Sequence, residues 1–471
     1  MTVGALLAAA AQKWGERPFV VDGARWWSFA ATAAEARRAA AALQARGIGA
    51  GDRVALMAGS SAEFVAAWLG IVLVGAAVVP ISTVSAPPEV VARLAQARCK
   101  LLLDDGALAE LMCDAPSSSP SLPVVGDDAL AQILFTSGTT GVAKAAAVSH
   151  ASLVAHTRNV ARTVALGADD VVLGALPLTH SFGCRMVMLL ALAVGARVVL
   201  QRRFDAAGAL ALLDGEGVTF WPAVPTMLAA VCAVDGPPPR ALRWVLSAGA
   251  PLADALCRRA EARLGCEVRQ GYGLTEASFS TIDAPPAPRV VGSVGRPVAG
   301  VEVRIAADGE VEVRGPHRMV GYLDDDAATA AALADGGWLR TGDVGRLDDD
   351  GRLWIVDRKK DLIIRGGNNV YPSEVEAALA AHPAVADVAV VGRPDDYFGE
   401  EVVAIVVVRA GQALTADALA EFARARLGAT KVPREIAFVE ALPLGPSGKV
   451  VKRALRQALV DGTLPTTKPS R

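Results

Sequence analysis

The sequence predicts an α/β protein: a large N-terminal domain of two similar α/β layers plus a small β-rich layer, followed by a small α+β C-terminal domain. Two observations carry this. One apolar pattern occurs twice: residues 64–81 read as a buried helix, a Gly75-Ala76 break and a β-branched strand, and residues 186–200 repeat it around Gly195-Ala196. The echo fits two layers better than one long sheet. Beyond Gly292 the texture changes to short alternating runs, VEVRI and GEVEVRG, separated by Gly and Asp, as in a small β-rich layer.

In chain order, residues 1–18 carry no cation ahead of their short apolar run and read as an amphipathic helix, not a signal peptide. Residues 64–81 have the length of a membrane span, but Gly70, Gly75 and Pro80 interrupt them, so no membrane span is expected. The Pro/Ser-rich residues 115–125 read as a surface loop. AQILF (131–135) reads as a buried strand, and VTFWPAVP (218–225) as a strand leading to a helix that contains Met227 and Leu228. WVLSAGAPL (244–252) runs from strand into a Gly/Pro turn, and EVRQGYGLTE (267–276) from strand into a glycine loop ending at Thr275 and Glu276. Such a series implies a site built at the ends of several strands. DDDGRLW (348–354) makes a hairpin, and the basic DRKKD that follows looks like a junction. The last unit alternates a helix-like EVEAALAAH with strand-like VADVAVVGR and EEVVAIVVV, and the tail 463–471 is expected to be disordered.

Composition narrows the function. A net charge of −2 over 471 residues offers no basic field for nucleic acid, so small-molecule partners are expected. Six cysteines without a CxxC pair and five histidines without ligand spacing suggest neither a disulfide framework nor a zinc site. The thiols read as reduced, which fits the cytoplasm.

FTSGTTGVAK (135–144) is the most informative stretch. Thr136, Ser137, Thr139 and Thr140 are interleaved with Gly138 and Gly141 and followed by Lys144. Glycine lets amide N–H groups converge on an anion and lysine adds a point charge, so this is the composition of a polyphosphate loop. It is not the usual P-loop, because Ala145 follows Lys144 where Ser or Thr would hold magnesium. Taken alone, it could be a polar surface turn.

Four further blocks follow in order: QGYGLTE (270–276), RTGD (340–343), DRKKDLIIRGGNNVYPSEVE (357–376) and PSGK (446–449). Together with the loop they resemble the adenylate-forming superfamily of acyl-CoA synthetases and AMP-binding enzymes, over almost the whole chain. Within it the motifs look most like bacterial fatty-acid-CoA ligases. The resemblance implies an N-terminal adenylation domain (1–357), a hinge (358–360) pivoting on Lys360, and a small mobile C-terminal domain (361–471). It implies ATP, Mg2+ and coenzyme A as cofactor and co-substrates. Residues 136–144 would cradle the β- and γ-phosphates, Thr275 would contact the α-phosphate, and Glu276 would hold magnesium. Adenine would stack on Ala248, Gly249, Ala250 and Pro251 and against Tyr272, in the Gln270-Gly271-Tyr272-Gly273 block. Asp343 would accept the ribose hydroxyls with Arg358 nearby. Lys449 would be the catalytic cation bridging carboxylate and α-phosphate, and Gly366 and Gly367 would line a thiol tunnel after rotation.

His180, in LPLTHSFG, matches the family's gate between pyrophosphate exit, acyl pocket and thiol; the plain alternative is a buried core histidine. The acyl pocket, by resemblance, is lined by Ser181, Phe182, Trp221, Ala223, Ala248, Gly249, Gly273 and Ala277. It has no aspartate to pair a substrate ammonium, which argues against an amino acid. Ala143 and Ala145 depart from the family's usual proline and glycine. Arg185 is the discordant residue: it either extends its head to solvent or reads a second carboxylate, and the former is the expectation. The reading is an AMP-forming carboxylic acid-CoA ligase acting on an aliphatic (fatty) acid. The alternatives are an acyl-AMP ligase loading an acyl carrier protein, or a ligase for an aryl acid or short diacid.

Overall fold

The computed structural model describes residues 1–114, 121–136, 143–444 and 450–470. The chain divides into two units, the first made of 1–304, 312–341 and 347–353, the second of 305–311, 342–346 and 354–471. Both draw on the strand-rich stretch beyond Gly292 that the alternating pattern predicts.

Among the described residues the first unit holds a six-stranded and a nine-stranded sheet. The two copies of the apolar echo feed different sheets. Helix Ala62–Leu73 leads to strand Ala77–Pro80 in the six-stranded sheet, and helix Leu190–Val194 leads to strand Arg197–Leu200 in the nine-stranded one. In both, a glycine with positive φ, Gly75 at 77° and Gly195 at 84°, stops the helix where a side chain would be strained. Helix Ala62–Leu73 is buried nearly all round because it packs on the alanine-rich helix Phe29–Ala45. Its apolarity therefore belongs to a protein core, and no described helix is long and apolar enough to cross a membrane.

The nine-stranded sheet places the site. Strands Phe220–Ala223, Trp244–Ser247 and Glu267–Leu274 run parallel, with Ala223 beside Ser247 and Ser247 beside Gln270. Their parallel pairing ends level at Ala223, Ser247 and Gln270, the position where α/β sheets bind ligands. The expected glycine loop after Gln270 is instead strand: Glu267–Leu274 continues through Gly271 and Gly273 and turns back antiparallel into Ser278–Ile282. The reason is close approach. A Cβ on Gly273 would sit 2.0 Å from the Ser278 carbonyl oxygen, so only glycine lets this hairpin close.

In the second unit, strands Asn368–Val370, Ile363–Arg365, Gly399–Val408 and Val385–Asp395 form a sheet, with Glu435–Val439 parallel to Gly399–Val408. Helices Pro372–Ala380 and Ala416–Arg424 cover one face with Val375, Leu379, Leu419 and Ala423, and helix Lys452–Val460 covers the other with Leu455 and Leu459. Burial on both faces explains why EEVVAIVVV is continuously apolar rather than alternating.

The tail departs from expectation. Ile436 and Thr467 exchange backbone hydrogen bonds at 2.9 and 2.8 Å, Thr466 Oγ1 donates to Glu435 Oε2 at 2.8 Å, and Arg424 Nη2 donates to the Ser470 carbonyl at 2.7 Å. Composition suggested disorder, but the open side of strand Glu435–Val439 offers unpaired backbone groups, and the tail satisfies them. The amides of Ile436 and Thr467 are expected to be protected in hydrogen exchange. Deleting 463–471 should cost about 2–4 kcal/mol in urea unfolding, from four hydrogen bonds at about 0.5–1 kcal/mol each. Unprotected amides and an unchanged midpoint would leave the tail disordered after all.

Candidate active site

Thr136 ends strand Leu130–Thr136 and Lys144 opens strand Lys144–Ser149; the two pair across an antiparallel ladder. The polar decade therefore connects two adjacent strands, although Ser137, Gly138, Thr139, Thr140 and Gly141 lie outside the described residues, as does Lys449. His150, just beyond, is structural. Its buried Nδ1 accepts from the Val3 amide at 3.2 Å, and burial holds its pKa down at about 4.

Thr275 and Glu276 occupy the turn between strands Glu267–Leu274 and Ser278–Ile282 and are half-buried. A second segment fixes Glu276: the Met319 amide donates to its carbonyl at 2.5 Å, and the Tyr322 hydroxyl donates to its Oε1 at 2.9 Å. Strand Gly321–Tyr322 pairs with Lys144–Ser149, and the Lys144 ammonium lies 4.9 Å from the centre of the Tyr322 ring, a cation–π contact. Thr136, Lys144 and Glu276 are thus brought together through Tyr322, which the sequence reading did not single out. Burial, with the Glu276 charge and hydrogen bond adding to it, raises the Tyr322 phenol far above its usual value.

The strand ends of the nine-stranded sheet carry other predicted segments. Trp221 and Ala223 are fully buried in strand Phe220–Ala223, and Ala248 is buried directly after Trp244–Ser247. Gly249, Ala250 and Pro251 are exposed, Gln270, Tyr272 and Gly273 half-buried, and Gly271 and Ala277 buried. His180 is exposed, so it is no packed core histidine. Its Nδ1 accepts from the Phe182 amide at 3.2 Å, which leaves the ring proton on Nε2. Ser181 and Phe182 are buried, and the Phe182 ring meets Phe279 at 5.1 Å.

Arg185 overturns the expectation that it reaches solvent. It is 1% exposed, in a π-helical turn, Cys184–Leu189, with His156 and His317 nearby, both buried. Periodicity gives no warning of such a turn.

Asp343, Arg358, Lys360, Gly366 and Gly367 belong to the second unit. Asp343 is 8% exposed and Arg358 Nε lies 3.5 Å from its Oδ1, so the two expected ribose groups are neighbours. Lys360 is exposed beside Lys359, which is tied to Asp308 at 2.6 Å and Glu310 at 2.9 Å. Gly366 and Gly367 are exposed with φ of 56° and 78°.

No three His, Cys, Asp or Glu side chains converge as a metal cage among the described residues. Glu276 nevertheless fits a magnesium ion: one oxygen is engaged by Tyr322, the other is not, and Mg2+ binds through one or two carboxylates plus phosphate and water.

Comparison with known proteins gives one answer. Residues 7–323 match the AMP-binding enzyme family and residues 374–449 the AMP-binding enzyme C-terminal domain. The chain is 34% identical to a sulfoacetate–CoA ligase of Cupriavidus necator over 96% of this chain and 97% of that one. It is also 34% identical to the long-chain-fatty-acid–CoA ligase FadD13 of Mycobacterium tuberculosis, over 91% and 92%. Among solved structures it resembles the o-succinylbenzoate CoA synthetase MenE of Bacillus subtilis in complex with the acyl-adenylate intermediate OSB-AMP. That match has a TM-score of 0.89 and 30% identity, and covers 99% of each chain.

The Tyr322 contact generates a prediction. Tyr322→Phe should cost about 1 kcal/mol at neutral pH, the net value of one hydrogen bond. Because the folded phenol is raised, its contribution is full below the unfolded tyrosine pKa near 10, and is lost as pH rises further and the unfolded phenol ionises. Urea unfolding from pH 8 to 11 should therefore show a stability decline that is shallower in Tyr322→Phe. Parallel declines in both proteins would mean that Tyr322 ionises freely.

Proposed function

The chain belongs to the AMP-binding enzyme family, whose relatives here are AMP-forming acid–thiol ligases, and from that we propose an ATP-dependent ligase that joins an aliphatic carboxylic acid to coenzyme A through an acyl-AMP. One observation carries the reading: Tyr322 brings the Lys144 cation and the Glu276 carboxylate together, just beyond the strand that pairs with Ser247 at Gln270. The acids named for the relatives, sulfoacetate and a long-chain fatty acid, differ widely, so the apolar walls Phe182, Trp221, Ala223 and Ala277 are what support an aliphatic chain.

In this reading a carboxylate oxygen attacks the α-phosphorus of ATP, the bond to the bridging oxygen breaks, and pyrophosphate leaves. Residues 136–144 hold the β- and γ-phosphates, Thr275 the α-phosphate, Asp343 and Arg358 the ribose, and Ala248–Pro251 with Tyr272 the adenine. Glu276 holds magnesium, which neutralises phosphate charge when bound. Lys449 stabilises the charge that gathers on the phosphate oxygens more than it stabilises bound ATP. Thiol sulfur then attacks the acyl carbon, the C–O bond breaks, and AMP leaves while the thiol proton passes to solvent. Rotation about Lys360 swaps Lys449 for Gly366 and Gly367 between the half-reactions, and His180 gates the thiol path.

Pyrophosphate release across acids, with and without CoA, tests the activity. Accumulated acyl-AMP that only a carrier protein consumes would overturn the choice of CoA. Lys449→Ala should slow adenylation by about 10²–10³-fold, the usual loss for one preorganised donor. Supplied acyl-AMP and CoA should still give thioester at close to the normal rate. Equal losses in both single-turnover half-reactions would remove either the rotation or the role of Lys449.

A further inference from the structure

Arg185 is a buried cation with no partner among the described residues. Its Nε and Nη2 are shielded from solvent without a hydrogen bond, and no ion pair reaches it among the described residues. Burial lowers its pKa only to about 10, so it stays charged at neutral pH. A charge desolvated without compensation is strongly unfavourable, and native folds rarely leave one.

The surroundings explain what is missing. The Phe279 amide donates to His156 Nε2 at 3.3 Å, so that nitrogen is unprotonated and the proton sits on Nδ1, a second buried donor without a partner. Ser278 Oγ lies 2.9 Å from the same Nε2, and Ser280 Oγ lies 3.2 Å from His317 Nε2. Burial first, and the Arg185 charge second, hold both imidazoles neutral, His317 down to about 3. Glu276 is the carboxylate whose charge reaches Arg185, but it is hydrogen-bonded to Tyr322. Arg185 and His156 Nδ1–H are therefore donors without an acceptor, and His317 Nδ1 is a third buried nitrogen without a partner. Arg185 comes from residues 181–189 and Ser278 and Ser280 from 277–282, the segments that also carry Phe182 and Ala277 of the predicted acyl pocket, while helix His150–Val164 adds His156.

We propose that Arg185, with His156 Nδ1–H, binds a second anionic group on the acid, so that this enzyme activates an aliphatic acid carrying a further carboxylate or sulfonate. This rests on the ligase reading above. The ATP phosphates are the other source of an anion, but Arg185 lies three residues past Phe182 of the predicted acyl pocket, which favours the acid.

The test is ATP–pyrophosphate exchange by the full-length protein on length-matched acids: butanoate against succinate, pentanoate against glutarate, and butanoate against 3-sulfopropanoate. At least one doubly anionic acid should exceed its partner in kcat/KM by roughly tenfold or more, as expected when a buried donor finds or misses its acceptor. In Arg185→Gln that ratio, taken within one preparation so that the folded fraction cancels, should fall at least about tenfold. A preference for the monoacid in every pair overturns the proposal, and needs no variant to fold. So does an unchanged ratio in Arg185→Gln, or a defect confined to KM for ATP, which would assign Arg185 to phosphate. Exchange with no acid at all would sink the ligase reading itself, and this proposal with it.

Discussion

The Tyr322 hydroxyl bonded to Glu276 at 2.9 Å is the contact on which the rest of the site depends. It joins three stretches distant in sequence: the strand opening at Lys144, the hairpin turn at Glu276, and the short strand Gly321–Tyr322. Lys144 and Glu276 form no ion pair with each other; each instead contacts Tyr322. Here an aromatic ring stands between them, holding the ammonium by its face and the carboxylate by its hydroxyl. Both charges stay available, one for an anion and the other for a cation, and the arrangement is set before any ligand arrives.

Most of the scaffold was legible because it follows local rules. The repeated helix, glycine and strand told of two layers, and each copy enters its own sheet. The strand ends around Ala223, Ser247 and Gln270 were readable as apolar runs meeting turn residues, and they are level with one another. Gly271 and Gly273 misled: glycine normally marks a loop, but here it serves a close approach within a hairpin, a fact about the partner strand and not about the local sequence. The tail was misread for a related reason. Its composition says nothing about the open strand edge at Ile436 that it completes.

Tyr322 and the buried histidines were invisible for a deeper reason. Tyr322 lies in MVGYLDDD, which carries no periodicity and no motif, and its role comes only from pairing beside Ala146. His156 sits among apolar positions of helix His150–Val164, where the sequence cannot distinguish a packed ring from a poised one. Its hydrogen bond to the Phe279 amide decides the tautomer, and that bond spans 123 residues.

The same distinction separates the shared part of the site from its individual part. In the proposed reaction the sheet ends and the Glu276 contact serve the nucleotide, which is common to acid–thiol ligases whatever acid they use. The segment Ser181–Leu189 is different, because it carries Phe182 toward Phe279 and then Arg185 into a π-helical turn. Such turns are uncommon and widen the helix locally, at a cost to its regular hydrogen bonding. Burying an arginine inside one, among neutral imidazoles, adds a desolvation cost of several kcal/mol that no hydrogen bond or ion pair among the described residues offsets. A fold that needed only an apolar wall could have placed leucine there, as it does at Leu189 and Leu190. Two unfavourable features thus meet at one position, in the segment that the proposed reading assigns to the acid and not to the nucleotide.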